Sequence, residues 1–308
     1  MSEFGFQSLP PMETIRTFAA PEDWNLTSYI MEHHQRSPVG NGLIASQMTE
    51  NFRLPKDFES LVYLSMVLQA EGIRSGVEHW RRSRERVSGT LYWQLNDCWP
   101  AVSWSSLDYF GRWKALHYAA RRFYAPVLVS LVAEPGRVGI HLTNDRLEPR
   151  LGQVRWALAR LDGQALQSGE QEATIGPLAS MEVCSIPVQV PEPLCRESVF
   201  LAELVQDGRS ISRSLVSFVP DKHLKLADPQ LAIELSLDGS ELVVEIQSHS
   251  LARFVELSLR GADVIFGDNY FDLPPNRETR VTCPLPEGWS LARAQESLQV
   301  RTLYHSYS

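Results

Sequence analysis

Apolar residues recur at every third or fourth position in the first 125 residues, a spacing that predicts amphipathic helices. Asp23 precedes a short example of this pattern and is predicted to cap it. Longer segments with the same spacing lie at residues 12–18, 57–80 and 112–124. The stretch GTLYWQLND at 89–97 is different, because it is β-branched and aromatic at its start and polar at its end. It predicts a buried strand whose C-terminal end opens into a site.

Beyond Pro126 the apolar period changes from 3.6 to 2, which predicts strands. Asp-Gly pairs at 162–163, 207–208 and 238–239 lie between such runs and predict tight hairpin turns. The polar segment PDKHLKLADP at 220–229 divides this region into two parts, each close to the size of an immunoglobulin-like β-sandwich. The predicted domains are therefore residues 1–125, 126–220 and 221–308.

Composition narrows the possible partners. The chain has 308 residues and a net charge of -8, with no block of like charge, so nucleic acid is not an expected partner. It contains no apolar stretch of about 18 residues and no signal-peptide pattern at its start, so no membrane partner is expected. A cytoplasmic location is favoured, with a periplasmic one if an upstream signal exists.

The four cysteines lack metal-type spacing and are predicted to be free, buried thiols.

The first 125 residues predict helices and a single buried strand, and a parallel strand of that kind needs neighbours on both sides. A (β/α)8 barrel takes about 250 residues, so this region has the size and pattern of its last third. The start, SEFGFQ, would then be the tip of the penultimate strand. Glu3 would stand at the C-terminal rim, where barrel enzymes carry their chemistry.

Three segments carry a more specific resemblance: SEFGFQSLPPMETI at 2–15, the tryptophan-rich stretch at 78–130, and FGDNYFDLPP at 266–275. Together they resemble the C-terminal half of β-mannosidases of glycoside hydrolase family 2. The resemblance implies a β-rich, multidomain chain, formed by the end of a TIM-barrel catalytic domain and two immunoglobulin-like sandwiches. It also implies that Glu3, in the SEFGFQS motif, is the catalytic nucleophile.

A retaining glycosidase needs a second carboxylic acid, about 5–5.5 Å from the nucleophile, to protonate the leaving oxygen. In the family this acid is the glutamate of an Asn-Glu pair upstream of the nucleophile, and these 308 residues contain no Asn-Glu pair. The chain is therefore expected to be inactive alone. It is a fragment, a truncated reading frame or one piece of a split enzyme, whose partner would be the missing N-terminal part.

Four further residues are candidate sugar contacts, because an indole can stack on a sugar ring and amides or carboxylates can bind hydroxyls. They lie on or just after the last predicted strand: Trp93, Asn96, Asp97 and Trp99. The resemblance implies that Trp93 lines the subsite of the cleaved sugar. For the other three, capping and packing of the loop remain an equal alternative. No metal or cofactor is expected, since this mechanism uses carboxylates alone.

The expected substrate is a β-mannoside oligosaccharide or glycan, from which terminal mannose is removed. Two related activities stay open, an exo-β-glucosaminidase and an endo-β-mannosidase, since few substrate contacts lie in this chain. A reading of a different class is a non-catalytic carbohydrate-binding or structural module. The acid/base glutamate distinguishes the enzyme from the non-catalytic module. If a partner chain supplies it, the two chains together form an enzyme.

Overall fold

A computed structural model describes all 308 residues. Seven α-helices occur: α1 Met12–Ile15, α2 Tyr29–His33, α3 Gly40–Asn51, α4 Phe58–Arg82, α5 Ala115–Phe123, α6 Glu192–Cys195 and α7 Leu291–Ser297. The strands are β1 Val127–Glu134, β2 Arg137–Asn144, β3 Arg150–Arg160, β4 Ala165–Ile175, β5 Ala179–Pro187, β6 Ser198–Gln206, β7 Arg209–Ser217, β8 Ala232–Asp238, β9 Glu241–Gln247, β10 Ala252–Leu259, β11 Phe271–Leu273, β12 Thr279–Pro284 and β13 Leu298–Arg301. None of the helices has the length and apolar character needed to cross a membrane.

The chain forms two compact units. The first contains residues 1–4, 72–92 and 120–225, and the second contains residues 5–71, 93–119 and 226–308. Each unit therefore combines part of the helical region with one group of strands. The division into three domains at residues 125 and 220 stays a prediction.

The first unit contains a sandwich of two antiparallel sheets, ordered β1-β2-β5 and β4-β3-β6-β7. Alternate residues of both sheets form its core, including Val129, Ile140, Val154 and Phe200, all fully buried. This alternation confirms the period-2 pattern read from the sequence. Cys184 lies in this core as a free thiol. Cys98, in the other unit, is also free but is exposed, so its prediction as a buried thiol is wrong.

Hairpin turns form at all three Asp-Gly pairs, between β3 and β4, β6 and β7, and β8 and β9. Gly163, Gly208 and Gly239 each have positive φ, as does Asp207. Turns of this kind require backbone in the left-handed region, which glycine enters without a steric penalty. The sequence prediction of the three turns is confirmed.

Trp156 on β3 lies directly opposite Gly169 on β4 and stacks on Phe200, with ring centroids 5.7 Å apart. A Cβ atom at position 169 would lie 2.6 Å from the Trp156 ring, so that ring needs the space that glycine leaves. Gly169→Ala is therefore expected to lower the free energy of unfolding by about 1–2 kcal/mol through displacement of the indole. Urea denaturation measures this change. Gly176→Ala is the control, because a Cβ there meets nothing within 4 Å, and an equal loss in both variants would contradict the packing argument.

The second unit contains a sandwich with sheets β12-β9-β8 and β11-β10-β13. The FGDNYFDLPP motif holds β10 in place: Asn269 bonds to both backbone groups of Leu257, at 2.8 and 2.9 Å, and Asp272 pairs with Arg253 at 2.8 Å. These contacts give the motif a structural role. They link the turn to a strand of the buried core.

Helices α4 and α5 confirm the two longer helical predictions, and both end close to the predicted residues. Three details differ from the sequence reading. Helix α3 had no clear apolar period and was missed, and α2 is capped by the side chain of Ser28, not Asp23. The stretch 89–97 forms no regular strand, and Leu91 is 67% exposed. Its prediction as a buried strand is wrong, because an isolated parallel bridge, Phe4 to Tyr92, is the only pairing on its first half. The barrel origin of this region stays a prediction.

Candidate functional site

Glu3 lies in the first unit with its side chain exposed. The next residue, Phe4, fixes the backbone here: its ring meets Trp80 of α4 edge to face, with centroids 4.5 Å apart. Phe4 also pairs with Tyr92 in a parallel bridge. An apolar anchor at position 4 thus leaves the neighbouring carboxylate in solvent, available for chemistry.

The residues that follow belong to the second unit, and the chain is buried from Gln7 to Pro10. Ser8 donates from Oγ to Oε1 of Gln69 at 2.8 Å, and Gln69 donates from Nε2 to the carbonyl of Phe6 at 2.9 Å. A Cβ atom on Gly5 would lie 2.7 Å from Trp104 and 2.8 Å from the carbonyl oxygen of Trp93. Glycine at position 5 therefore allows the backbone to approach Trp93 closely.

The four candidate sugar contacts lie on one segment of the second unit, residues 93–99, here called the rim segment. Trp93 is 51% exposed, Asn96 is exposed and Trp99 is half-buried, whereas Asp97 is buried. The peptide bond between Trp93 and Gln94 is cis. The segment therefore presents one indole and one amide to solvent.

Asp97 turns its carboxylate inwards. Oδ2 accepts hydrogen bonds from Ser105 at 2.6 Å and Ser103 at 2.9 Å, and Oδ1 accepts one from Nε2 of Gln94 at 3.3 Å. Both serines are completely buried. In this arrangement Asp97 holds the rim segment to the chain that follows it. Its role as a sugar contact stays a prediction.

Trp99 packs against histidine. The ring of His34 stacks between Phe18, at 3.9 Å, and Trp99, at 4.5 Å, and its Nδ1 lies 2.6 Å from the carbonyl oxygen of Pro100. Burial lowers the pKa of His34, which favours the neutral ring. Arg36 lies over the Trp99 indole at 5.4 Å. These contacts give His34 a packing role.

Sequence reasoning missed five buried polar residues of the second unit, of which Ser103 and Ser105 bond to the rim segment: Gln69, Ser103, Ser105, Asp108 and Lys114. Each is at most 2% exposed. One signal was available for Gln69, which interrupts the apolar run at residues 66–70 of α4. No cluster of three or more histidine, cysteine, aspartate or glutamate side chains suited to a metal ion occurs in the chain.

Three exposed groups are available for chemistry, one in the first unit and two in the second. The Glu3 carboxylate is free to act as a nucleophile or base, the Trp93 indole can stack on an apolar ring face, and Asn96 can bind a hydroxyl.

Trp113 packs against Tyr118 of α5, with ring centroids 5.0 Å apart, and so helps to anchor this helix.

Comparison with protein families assigns each sandwich to a known domain family. The Mannosidase Ig/CBM-like domain family matches residues 136–223, and an Ig-fold domain family found in mannosidases matches residues 226–306. Both sandwiches are therefore immunoglobulin-like, as the sequence predicted. Neither match reaches residues 1–125.

Comparison with whole proteins extends the similarity to the full chain. A β-mannosidase of Capra hircus is 30% identical over 329 residues, which cover 100% of this chain and 37% of the relative. A β-D-mannosidase of Dictyoglomus thermophilum has a similar structure, with a TM-score of 0.91, 26% identity and coverage of 98% of this chain and 37% of that one. The exo-chitosanase CsxA of Amycolatopsis orientalis, with a TM-score of 0.76 and 16% identity over 98% of this chain and 41% of its own, shares the fold. The chain thus spans little more than a third of the length of the relatives it matches.

Proposed function

This chain belongs to the β-mannosidases of glycoside hydrolase family 2 and corresponds to their C-terminal portion, and on that premise we propose that it supplies the nucleophile of a retaining exo-β-mannosidase. The nucleophile is Glu3. The substrate is a β-mannoside oligosaccharide or glycan, from which terminal, non-reducing mannose is removed. The acid/base glutamate comes from the N-terminal part of the enzyme, which this chain lacks.

One observation carries the proposal: Glu3 is exposed, while the residue after it is anchored by Trp80 and paired in parallel with Tyr92. Parallel pairing of two segments is the arrangement of neighbouring barrel strands, and catalytic residues of barrels stand at the C-terminal ends of such strands.

The reaction takes two steps. A Glu3 oxygen attacks the anomeric carbon as the bond to the leaving oxygen breaks, and the acid supplied upstream protonates that oxygen. Water then attacks the same carbon, losing a proton to the upstream carboxylate, and displaces Glu3. Because the anomeric carbon is inverted twice, the product keeps the β configuration. Trp93 stacks on the mannose ring and Asn96 binds a hydroxyl.

The test is hydrolysis of an aryl β-mannoside by this chain alone, by the chain mixed with the N-terminal part of the D. thermophilum enzyme, and by a fusion of the two. The chain alone is expected to be inactive, whereas the mixture or the fusion hydrolyses the mannoside. An aryl β-glucosaminide tested in parallel separates the exo-β-glucosaminidase alternative. If circular dichroism shows a folded chain and no fusion or mixture is active, the non-catalytic module replaces the enzyme.

A further inference from the structure

Lys114 is buried in a way that lysine seldom is. It stands directly before α5, in the second unit, and its backbone nitrogen donates to the carbonyl of Ser106 at 3.0 Å. Its side chain is completely buried, although lysine almost never is unless it is paired. The amine makes no hydrogen bond within the chain. Nothing in the proposed mechanism uses this amine.

Two buried carboxylates act on the Lys114 amine through space, those of Asp97 and Asp108. Each is already held by other donors. Asp97 accepts from Ser103 and Ser105. Asp108 accepts from Thr14, from Arg112 at 3.4 Å and from two backbone N–H groups, at 2.8 and 2.9 Å. Lys114 is thus not required to complete either set of hydrogen bonds, and it adds charge alone.

The two carboxylates anchor different parts of the unit. Asp97 belongs to the rim segment, and Asp108 bonds to Thr14 of α1. Two further charged or titratable groups lie close by: Arg112, which bonds to Asp108 and also pairs with Asp263 at 2.7 Å, and His117, whose Nδ1 lies 3.0 Å from Oγ of Ser106. A charge at Lys114 therefore acts on the carboxylate of the same segment that carries Trp93 and Asn96.

We propose that Lys114 is a positioning residue for the rim segment, acting through the buried carboxylate of Asp97. When the amine is protonated it attracts that carboxylate and fixes the segment. When the amine is neutral, Asp97 is held by its hydroxyl and amide donors alone. The consequence for sugar binding rests on the proposed function. If the rim segment binds mannoside, the positions of Trp93 and Asn96 against the sugar depend on the charge of Lys114.

The surroundings of the Lys114 amine place the loss of its proton near neutral pH. Burial lowers the pKa of Lys114 to about 7, against the opposing effect of Asp97 and Asp108. As pH rises through this value, the amine loses its proton and Asp97 loses the cation that faces it. The segment is therefore expected to be held more firmly at pH 6 than at pH 8.

The experiment follows both ends of the network in this chain, without substrate. The chain has only four lysines, Lys56, Lys114, Lys222 and Lys225, so carbon-13 at Cε gives a simple NMR spectrum. The Lys114 signal, identified by its loss in Lys114→Met, is expected to titrate near pH 7. Fluorine NMR of 5-fluorotryptophan, assigned with Trp93→Phe, is expected to show Trp93 shifting with the same midpoint.

Lys114→Met should abolish that Trp93 shift, whereas Lys56→Met, at an exposed lysine, should leave it unchanged. His117 remains in both variants, so a shift caused by the histidine would survive in Lys114→Met. The proposal is overturned if Lys114 titrates above about pH 9.5, or if the Trp93 shift persists without Lys114.

A second variant covers the case in which Lys114→Met fails to fold. Substitutions at the other three lysines then assign the Lys114 signal by elimination. Asp97→Asn must move the Lys114 midpoint to lower pH, because the carboxylate raises it, and an unchanged midpoint contradicts the coupling. A fusion enzyme with no hydrolytic activity would refute the proposed function while leaving these NMR results intact.

Discussion

Glu3→Gln in the fusion with the D. thermophilum N-terminal part is expected to lower kcat for an aryl β-mannoside by at least about 10³-fold. Glutamine keeps the size and shape of the side chain but removes the nucleophilic carboxylate, so no covalent intermediate forms. Binding of the substrate should change little, because Trp93 and Asn96 remain. Steady-state kinetics measure both parameters.

Glu13→Gln is the matched control, since Glu13 is an exposed glutamate of α1 whose partner is the surface residue Arg16. It should retain nearly full activity, because exposed ion pairs contribute little. A smaller variant gives a positive readout: Glu3→Gly leaves room for azide, which can attack the anomeric carbon from the vacated side. The product would be a mannosyl azide of inverted configuration. Full activity in Glu3→Gln would remove Glu3 from the mechanism.

Asp97→Ala is expected to lower the free energy of unfolding by about 3 kcal/mol. The substitution leaves the hydroxyls of Ser103 and Ser105 without their shared acceptor in a site where both are fully buried, and hydrogen bonds to a charged group are each worth about 1.5–3 kcal/mol. Urea denaturation followed by circular dichroism measures the loss. The rim segment should loosen as well, which tryptophan quenching by acrylamide would report.

Two variants separate the causes of that loss. Asp97→Asn keeps the side-chain shape and one acceptor oxygen, so it should cost less than alanine. Glu148→Ala removes a carboxylate that is 75% exposed in its side chain and pairs with Arg150 at 3.6 Å, and it should change stability by less than about 0.5 kcal/mol. Equal stability of Asp97→Ala and the parent chain would contradict the proposed anchoring of the rim segment.

The β-rich half was largely readable from the sequence because its signals are local. Period-2 alternation marked the strands, and the Asp-Gly pairs marked the turns. The long helices α4 and α5 were readable for the same reason, since apolar spacing persists over many residues. Helix α3 was missed because its apolar residues lack that spacing, and the cap of α2 was misplaced because aspartate and serine compete for such positions.

The candidate site was readable only in part. Glu3 and Trp93 stand in motifs that point to sugar chemistry, and the structure leaves both exposed. The position of Asp97 could not be read, because a carboxylate at the end of a segment gives the same pattern whether it faces solvent or the interior. The stretch 89–97 shows the same limit, since an apolar and aromatic run does not reveal which neighbours it has.

The sequence by itself determined the family, the two sandwiches and the candidate nucleophile, because spacing, turns and motifs are properties of neighbouring residues. Tertiary structure alone decided which polar groups are buried together. Asp97 meets serines 6 and 8 residues further on, Ser8 meets Gln69 across 61 residues, and Lys114 comes to face Asp97 and Asp108. Such groups lower or raise one another's free energy only after the chain has removed them from water, so no local pattern records the result.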